Sequence, residues 1–199
     1  YLYFSYFRDK VFLNYKQLRN KFILRGLKIF LLGLIITIFT WIIFPKSFIM
    51  FGILHLIGVS IILSILCLRL TSIDENTDVN KRLNIVNLLL GFVVIIIGIY
   101  LSSFLFDFDW LFWLGFAPYH LNTFDYFPIF PWFGFVLIGI FLGNKLYSNY
   151  SRRFRFINNP NKHIINALNF MGRHSLIIYF IHQPILMLIL HLFGIVSFF

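Results

Sequence analysis

The chain has 199 residues, 60% of them hydrophobic and only 12% charged, where a soluble domain carries about 25% charged residues. No water-soluble fold of this length could bury 28 Phe residues together with the aliphatic runs around them, so the composition excludes a soluble globular domain and points to a bilayer as the solvent. The formal charge of +10 raises nucleic acid as a partner, but the basic residues sort by membrane side, and nucleic acid is not expected.

Stretches near 24–44, 48–68, 84–106, 128–147 and 170–193 are long and apolar enough to cross roughly 30 Å of hydrocarbon as helices of about 20 residues. Backbone polar groups must be satisfied inside lipid, and these runs do not alternate as barrel strands do. The predicted fold class is therefore all-α, a polytopic transmembrane helix bundle with five spans. Arg8, Lys10, Lys16, Arg19 and Lys21 precede the first span, and Arg25 and Lys28 lie in its first turns. Arg69, Lys81 and Arg82 fall between the second and third. Lys145, Arg152, Arg153, Arg155, Lys162 and Arg173 fall between the fourth and fifth. Of the 17 basic residues, only Lys46 lies on the other side. The positive-inside rule then predicts a cytoplasmic N-terminus and an outside C-terminus. The chain begins with Tyr1 rather than Met, and residues 1–199 are expected to be one transmembrane domain, truncated at its N-terminus.

Small residues recur at helical spacing: Gly26, Gly33, Thr37 and Thr40 on the first span, Gly91, Gly98 and Ser102 on the third, and Gly139 with Gly143 on the fourth. Such faces let helices approach closely in lipid. The spacing predicts a compact bundle.

Ionisable groups within spans are costly and are functional candidates by default. His55 lies in the second span between Gly52 and Gly58. The outer loop 107–127 holds Asp107, Asp109, His120 and Asp125 and no Lys or Arg. Asp125 then meets an aromatic and proline-rich run, Tyr126-Phe-Pro-Ile-Phe-Pro-Trp132. It either orients a ligand beside Tyr126 and Trp132, or caps the following helix while Trp132 anchors the interface. In the last span Ser175, Tyr179 and His182 fall within about 60° of one another at 100° per residue, with Gln183 bordering them. Pro184 is expected to kink the helix beside His182. Cys67 is the only cysteine and reads as a small buried hydrophobe. The 6 His residues lack ligand spacing, so no metal is predicted.

Three motifs resemble the membrane-bound acetyltransferases related to heparan-α-glucosaminide N-acetyltransferase, including their prokaryotic relatives. They are Phe51-Gly-Ile-Leu-His-Leu-Ile-Gly58, then Phe124-Asp-Tyr-Phe-Pro-Ile-Phe-Pro-Trp132 with Gly134, Gly139 and Gly143, then Gly172-Arg-His-Ser-Leu-Ile-Ile-Tyr-Phe-Ile-His-Gln-Pro184. The resemblance covers nearly the whole chain. It implies transfer of an acetyl group from cytosolic acetyl-CoA to a sugar, glycan or lipid-linked saccharide on the far side of the membrane. The membrane would be the plasma membrane of a prokaryote, or the lysosomal membrane in a eukaryote. The family also carries an N-terminal helix with an Arg-Gly segment and a catalytic histidine near its outer end. Arg25-Gly26 resembles that segment, but no histidine follows it in the same span, so the resemblance implies further helices upstream.

Acetyl transfer needs a base or nucleophile, which suits histidine, and hydrogen-bond donors for an oxyanion. The candidate catalytic residues are His182, His55 and Asp125. Arg152, Arg153, Arg155 and Arg173 would hold the phosphates of CoA, with its thioester passing Ser175 and Tyr179. His120, Tyr126, Trp132 and Gln183 would receive the acceptor. Membrane lipid is an expected partner, and a homo-oligomer is compatible with the sequence. Two other classes compete: a proton- or cation-coupled transporter, and a non-catalytic membrane subunit. Binding of acetyl-CoA separates the first reading from both.

Overall fold

A computed structural model describes residues 2–10, 12–70, 77–148, 151–152 and 162–194. The chain forms two compact units, 1–153 and 154–199. The first contains α1 (Leu2–Lys10), α2 (Tyr15–Ile43), α3 (Ile53–Leu70), α4 (Thr77–Leu101) and α5 (Ile129–Leu146). A two-residue antiparallel pair follows, Tyr147–Ser148 with Ser151–Arg152. The second unit contains α6 (Lys162–Arg173) and α7 (Ser175–Leu192). Among the described residues the fold is helical apart from that short pair and two isolated bridges.

Among the described residues, Tyr15–Ile43, Arg82–Leu101 and Ile129–Leu146 are long and apolar enough to cross a membrane, and Ile53–Leu68 is a shorter apolar helix. The 29 residues of α2 extend roughly 44 Å at 1.5 Å per residue, so its basic first turns project beyond the hydrocarbon. It stops at Ile43, where Phe44 stands before Pro45 and is pushed out of the helical region. Leu31, Ile35, Ile38, Phe39 and Ile42 on α2, and Leu89, Phe92, Ile96 and Ile99 on α4, are all exposed. A continuous outward apolar face of this kind needs lipid around it.

Close glycine contacts hold the first unit together. A Cβ on Gly58 would lie 2.7 Å from the Gly26 carbonyl oxygen and 2.8 Å from the Phe30 amide nitrogen, so α2 and α3 touch backbone to backbone. A Cβ on Gly91 would lie 2.9 Å from the Gly134 carbonyl oxygen, and Gly98 sits against Pro131. The small-residue faces expected on α2 and α4 are thus true crossing points. The expectation for α5 needs correction. Gly134 makes its contact, while a Cβ on Gly139 would meet nothing within 4 Å. Gly139 is five residues on, roughly 140° around the helix from the α4-facing side.

Polar groups join the same pair of helices. Asn144 donates to the Asn84 side-chain oxygen at 2.9 Å, and Asn84 donates to the Phe141 carbonyl at 3.3 Å. At the basic end, α1 packs Tyr6 onto Leu18 and Phe22 of α2, Ile61, Ile65 and Leu68 of α3, and Ile140 of α5. Buried Asp9 there pairs with Lys21 at 2.8 Å and with Arg8 at 3.2 Å.

Helices α2 and α4 begin upstream of their predicted spans, at Tyr15 and Thr77, and three other limits differ as well. The second span begins at Ile53 rather than near 48, because residues 47–51 pair with the segment before α5 instead of coiling. The third ends at Leu101, where Ser102 turns its hydroxyl onto the Ile99 carbonyl at 2.7 Å. The expected 170–193 span divides at His174 into α6 and α7, although the Ile178 amide still donates to the His174 carbonyl at 2.9 Å. Helix α7 runs continuously through Pro184.

Candidate active site

The segments flanking α3 and α5 run side by side. The Phe124 amide donates to Ser47 at 3.2 Å and the Phe127 amide to Phe51 at 3.0 Å, with a parallel bridge between Phe51 and Tyr126. This pairing carries Asp125 to the start of α3, whose first amides have no partner within the helix. Oδ2 of Asp125 accepts the Ile53 N–H at 3.2 Å. Gly52 makes room for it, since a Cβ there would lie 2.5 Å from Oδ2. The Thr123 hydroxyl donates to the Asp125 carbonyl at 3.1 Å and stiffens the approach.

His55 serves the neighbouring amide. It is the third residue of α3, and its Nδ1 accepts the Gly52 N–H at 3.2 Å. This is the reach-back of a capping box, with imidazole in place of the usual glutamate. Two side chains therefore satisfy consecutive amides at one helix start. A carboxylate there also complements the positive end of the helix dipole. Asp125 does act as a cap, but of α3 and not of the helix that follows it in sequence. The strand-like pairing of 47–51 with 124–127 decides this.

The imidazole is enclosed. His55 is 2% exposed. Phe51 stacks on it at 5.4 Å and Phe30 meets it edge-on at 5.0 Å. Gly33 of α2 forms the floor: a Cβ there would lie 3.0 Å from Nδ1 and Cε1 and 3.1 Å from Nε2. Nε2 itself is buried and finds no hydrogen-bond partner among the described residues.

Tyr126 is tied down at its far end, its hydroxyl donating to the Phe112 carbonyl at 2.6 Å. Phe112 opens a 3-10 turn that closes at Gly115, whose φ of 131° suits glycine. Burial pushes the Tyr126 phenol up to about 12, so it stays a proton donor. Burial also pushes the Asp125 carboxyl above its ordinary 3.8, with the Ile53 amide offsetting part of the shift. The site thus combines a carboxylate with raised proton affinity, an enclosed imidazole and a fixed phenol.

Trp132 is partly exposed between Phe127 at 5.0 Å and Phe135 at 5.8 Å. His120 is exposed in the outer loop. In the second unit, the Tyr179 and His182 rings lie 5.3 Å apart, and Nδ1 of His182 donates to the Tyr179 carbonyl. Ser175 and Arg173 are exposed at the junction of α6 and α7. Arg153 and Arg155 lie outside the described residues, as do the side chains of Arg152 and Gln183. Phe30, Phe51 and the Phe112 carbonyl are site components that sequence reasoning passed over. Gly33 carried a signal, its place in the small-residue face of α2, but was read as helix packing only. Among the described residues, no group of three or more His, Cys, Asp or Glu could hold a metal ion.

Fold and site together describe a helical integral membrane protein with a carboxylate and an imidazole gathered at one helix start. The family described as heparan-alpha-glucosaminide N-acetyltransferase, catalytic, matches residues 9–184, and the chain belongs to that family. No curated protein and no solved structure matches the chain. Membership places it among membrane acetyltransferases.

Proposed function

We propose that the protein moves an acetyl group from cytosolic acetyl-CoA to a sugar hydroxyl or amine on the extracytoplasmic side. Family membership supports the reaction. The observation that carries the site is the convergence of Asp125 and His55 on adjacent amides at the start of α3. In this reading the chain has five spans, with its N-terminus in the cytoplasm and its C-terminus outside. The phosphates of CoA meet Arg152, Arg153, Arg155 and Arg173. The thioester passes Ser175 and Tyr179 toward His182. The acceptor comes from the opposite side past His120, Tyr126 and Trp132.

The acceptor oxygen or nitrogen attacks the thioester carbonyl carbon and forms the new ester or amide bond. Its proton passes to the Asp125 carboxylate, whose burial makes it a stronger base. The carbon–sulfur bond breaks, and CoA leaves as the thiol after taking up that proton. A base held above its ordinary 3.8 loses activity as pH falls through the raised value, so the acid limb of kcat should lie above that figure.

Asp125→Asn keeps an oxygen to accept the Ile53 amide but removes the base. Transfer from acetyl-CoA, measured in vesicles bearing the full chain, should fall by roughly 10²-fold or more. Transfer within about threefold of the natural chain, with folding intact, removes Asp125 from the reaction. The orientation is tested by Cys67→Ser with Tyr119→Cys, since Tyr119 is exposed. A membrane-impermeant maleimide should label intact cells, and labelling only after lysis inverts the topology. Acetyl-CoA binding separates this function from a transporter or a non-catalytic subunit.

A further inference from the structure

His55 holds an asymmetry that the reaction as outlined leaves unused. Its Nδ1 accepts a backbone proton from Gly52, so Nδ1 must carry a lone pair. A neutral imidazole has one N–H, and here it must sit on Nε2. That N–H is buried and finds no partner among the described residues, in a ring 2% exposed and walled by Phe30, Phe51 and Gly33. An orphaned buried donor costs about 1–3 kcal/mol. A capping role alone gives no reason to bear that cost, because a glutamate at the third position would accept the Gly52 amide with no N–H left over.

We infer that His55 is locked as the Nε2–H tautomer and, when the Phe30 or Phe51 ring turns aside to admit the acyl group, acts as a hydrogen-bond donor to a substrate oxygen, the acyl carbonyl that becomes the oxyanion, rather than as base or nucleophile. This deepens the acetyltransfer reading and rests on it. The lone pair that a base needs is committed to Gly52 on the wrong side of the ring. A preorganised donor in a site walled by aromatic rings is worth most where negative charge develops. The assignment also divides the labour: Asp125 accepts the acceptor's proton and His55 stabilises the charge left on oxygen.

Two experiments test it. In the full chain labelled with nitrogen-15 histidine, the His55 resonances, assigned by their loss in His55→Gln, should show a protonated Nε2 and a bare Nδ1. A protonated Nδ1, alone or with Nε2, overturns the inference. Glutamine places an amide N–H near the Nε2 position and has no basic nitrogen, whereas asparagine mimics only the Nδ1 side. Transfer by His55→Gln should stay within about tenfold of the natural chain, with His55→Asn and His55→Ala slower by roughly 10²–10³ in kcat. If Asn retains as much activity as Gln, His55 is only a cap. If Gln is as slow as Ala while both remain folded in detergent, the imidazole is a base or nucleophile. Should the natural chain transfer no acetyl group, the proposed function fails, while the nitrogen spectrum still decides the tautomer.

Discussion

Gly58→Ala probes the contact on which the site is built. The new Cβ would meet the Gly26 carbonyl oxygen at 2.7 Å and the Phe30 amide nitrogen at 2.8 Å, against an ordinary contact of 3.4 Å or more. Both neighbours are helix backbone, so no side chain can swing aside. Helices α2 and α3 must separate locally by about 0.6–0.7 Å, and overpacking of this kind costs about 1–3 kcal/mol. Alanine's better helix propensity returns up to about 1 kcal/mol, leaving a net loss of up to about 2 kcal/mol. Gly139→Ala is the matched control, because its Cβ meets nothing within 4 Å and only the propensity gain remains. The propensity gain is common to both, so the two variants should differ by the overpacking cost alone, about 1–3 kcal/mol. Reversible denaturant unfolding in mixed micelles, followed by circular dichroism, measures the difference. Equal midpoints would refute the backbone-to-backbone crossing. The same crossing sets Gly33 against His55, so Gly58→Ala should also slow transfer, while Gly139→Ala should not.

Further outcomes follow from individual contacts. Tyr126→Phe removes the bond to the Phe112 carbonyl and should cost about 1 kcal/mol; unchanged unfolding would show that the 3-10 turn is held by packing alone. A double-mutant cycle on Asn84→Ala and Asn144→Ala should give a coupling of about 0.6 kcal/mol, typical of interhelical hydrogen bonds in membranes, and zero coupling would deny their contact. Burial by itself pushes the Asp9 carboxyl up, but Lys21 and Arg8 beside it hold it below its ordinary 3.8. A carboxyl depressed in the fold contributes stability that is full above the unfolded value and lost as pH falls through the folded one. Asp9→Asn should lack that acid-side loss below about pH 3.8, and identical acid profiles would refute the pairing.

Much of the architecture was legible in the residue order. A bilayer constrains the chain one segment at a time, so apolar runs predicted α2 to α5 within several residues. Spacing of about 100° per residue also found the crossing faces at Gly26 and at Gly91 with Gly98. Gly139 misled because periodicity finds a small residue without saying which side of the helix a neighbour occupies. His55 and Asp125 were recognisable as candidates because ionisable groups near hydrocarbon are rare.

Their relation to each other was decided only in three dimensions. The Ile53–Asp125 hydrogen bond joins residues 72 positions apart, and no local period encodes such a pairing. Residues 47–51 were apolar enough to read as helix, yet they stay non-helical, with Ser47 and Phe51 accepting hydrogen bonds from Phe124 and Phe127. The proton on His55 likewise depends on where the Gly52 amide points, a matter of backbone direction at one helix start. Lipid solvation acts on each segment separately and is written in composition; hydrogen-bond geometry depends on distant backbone and appears only once the helices have packed.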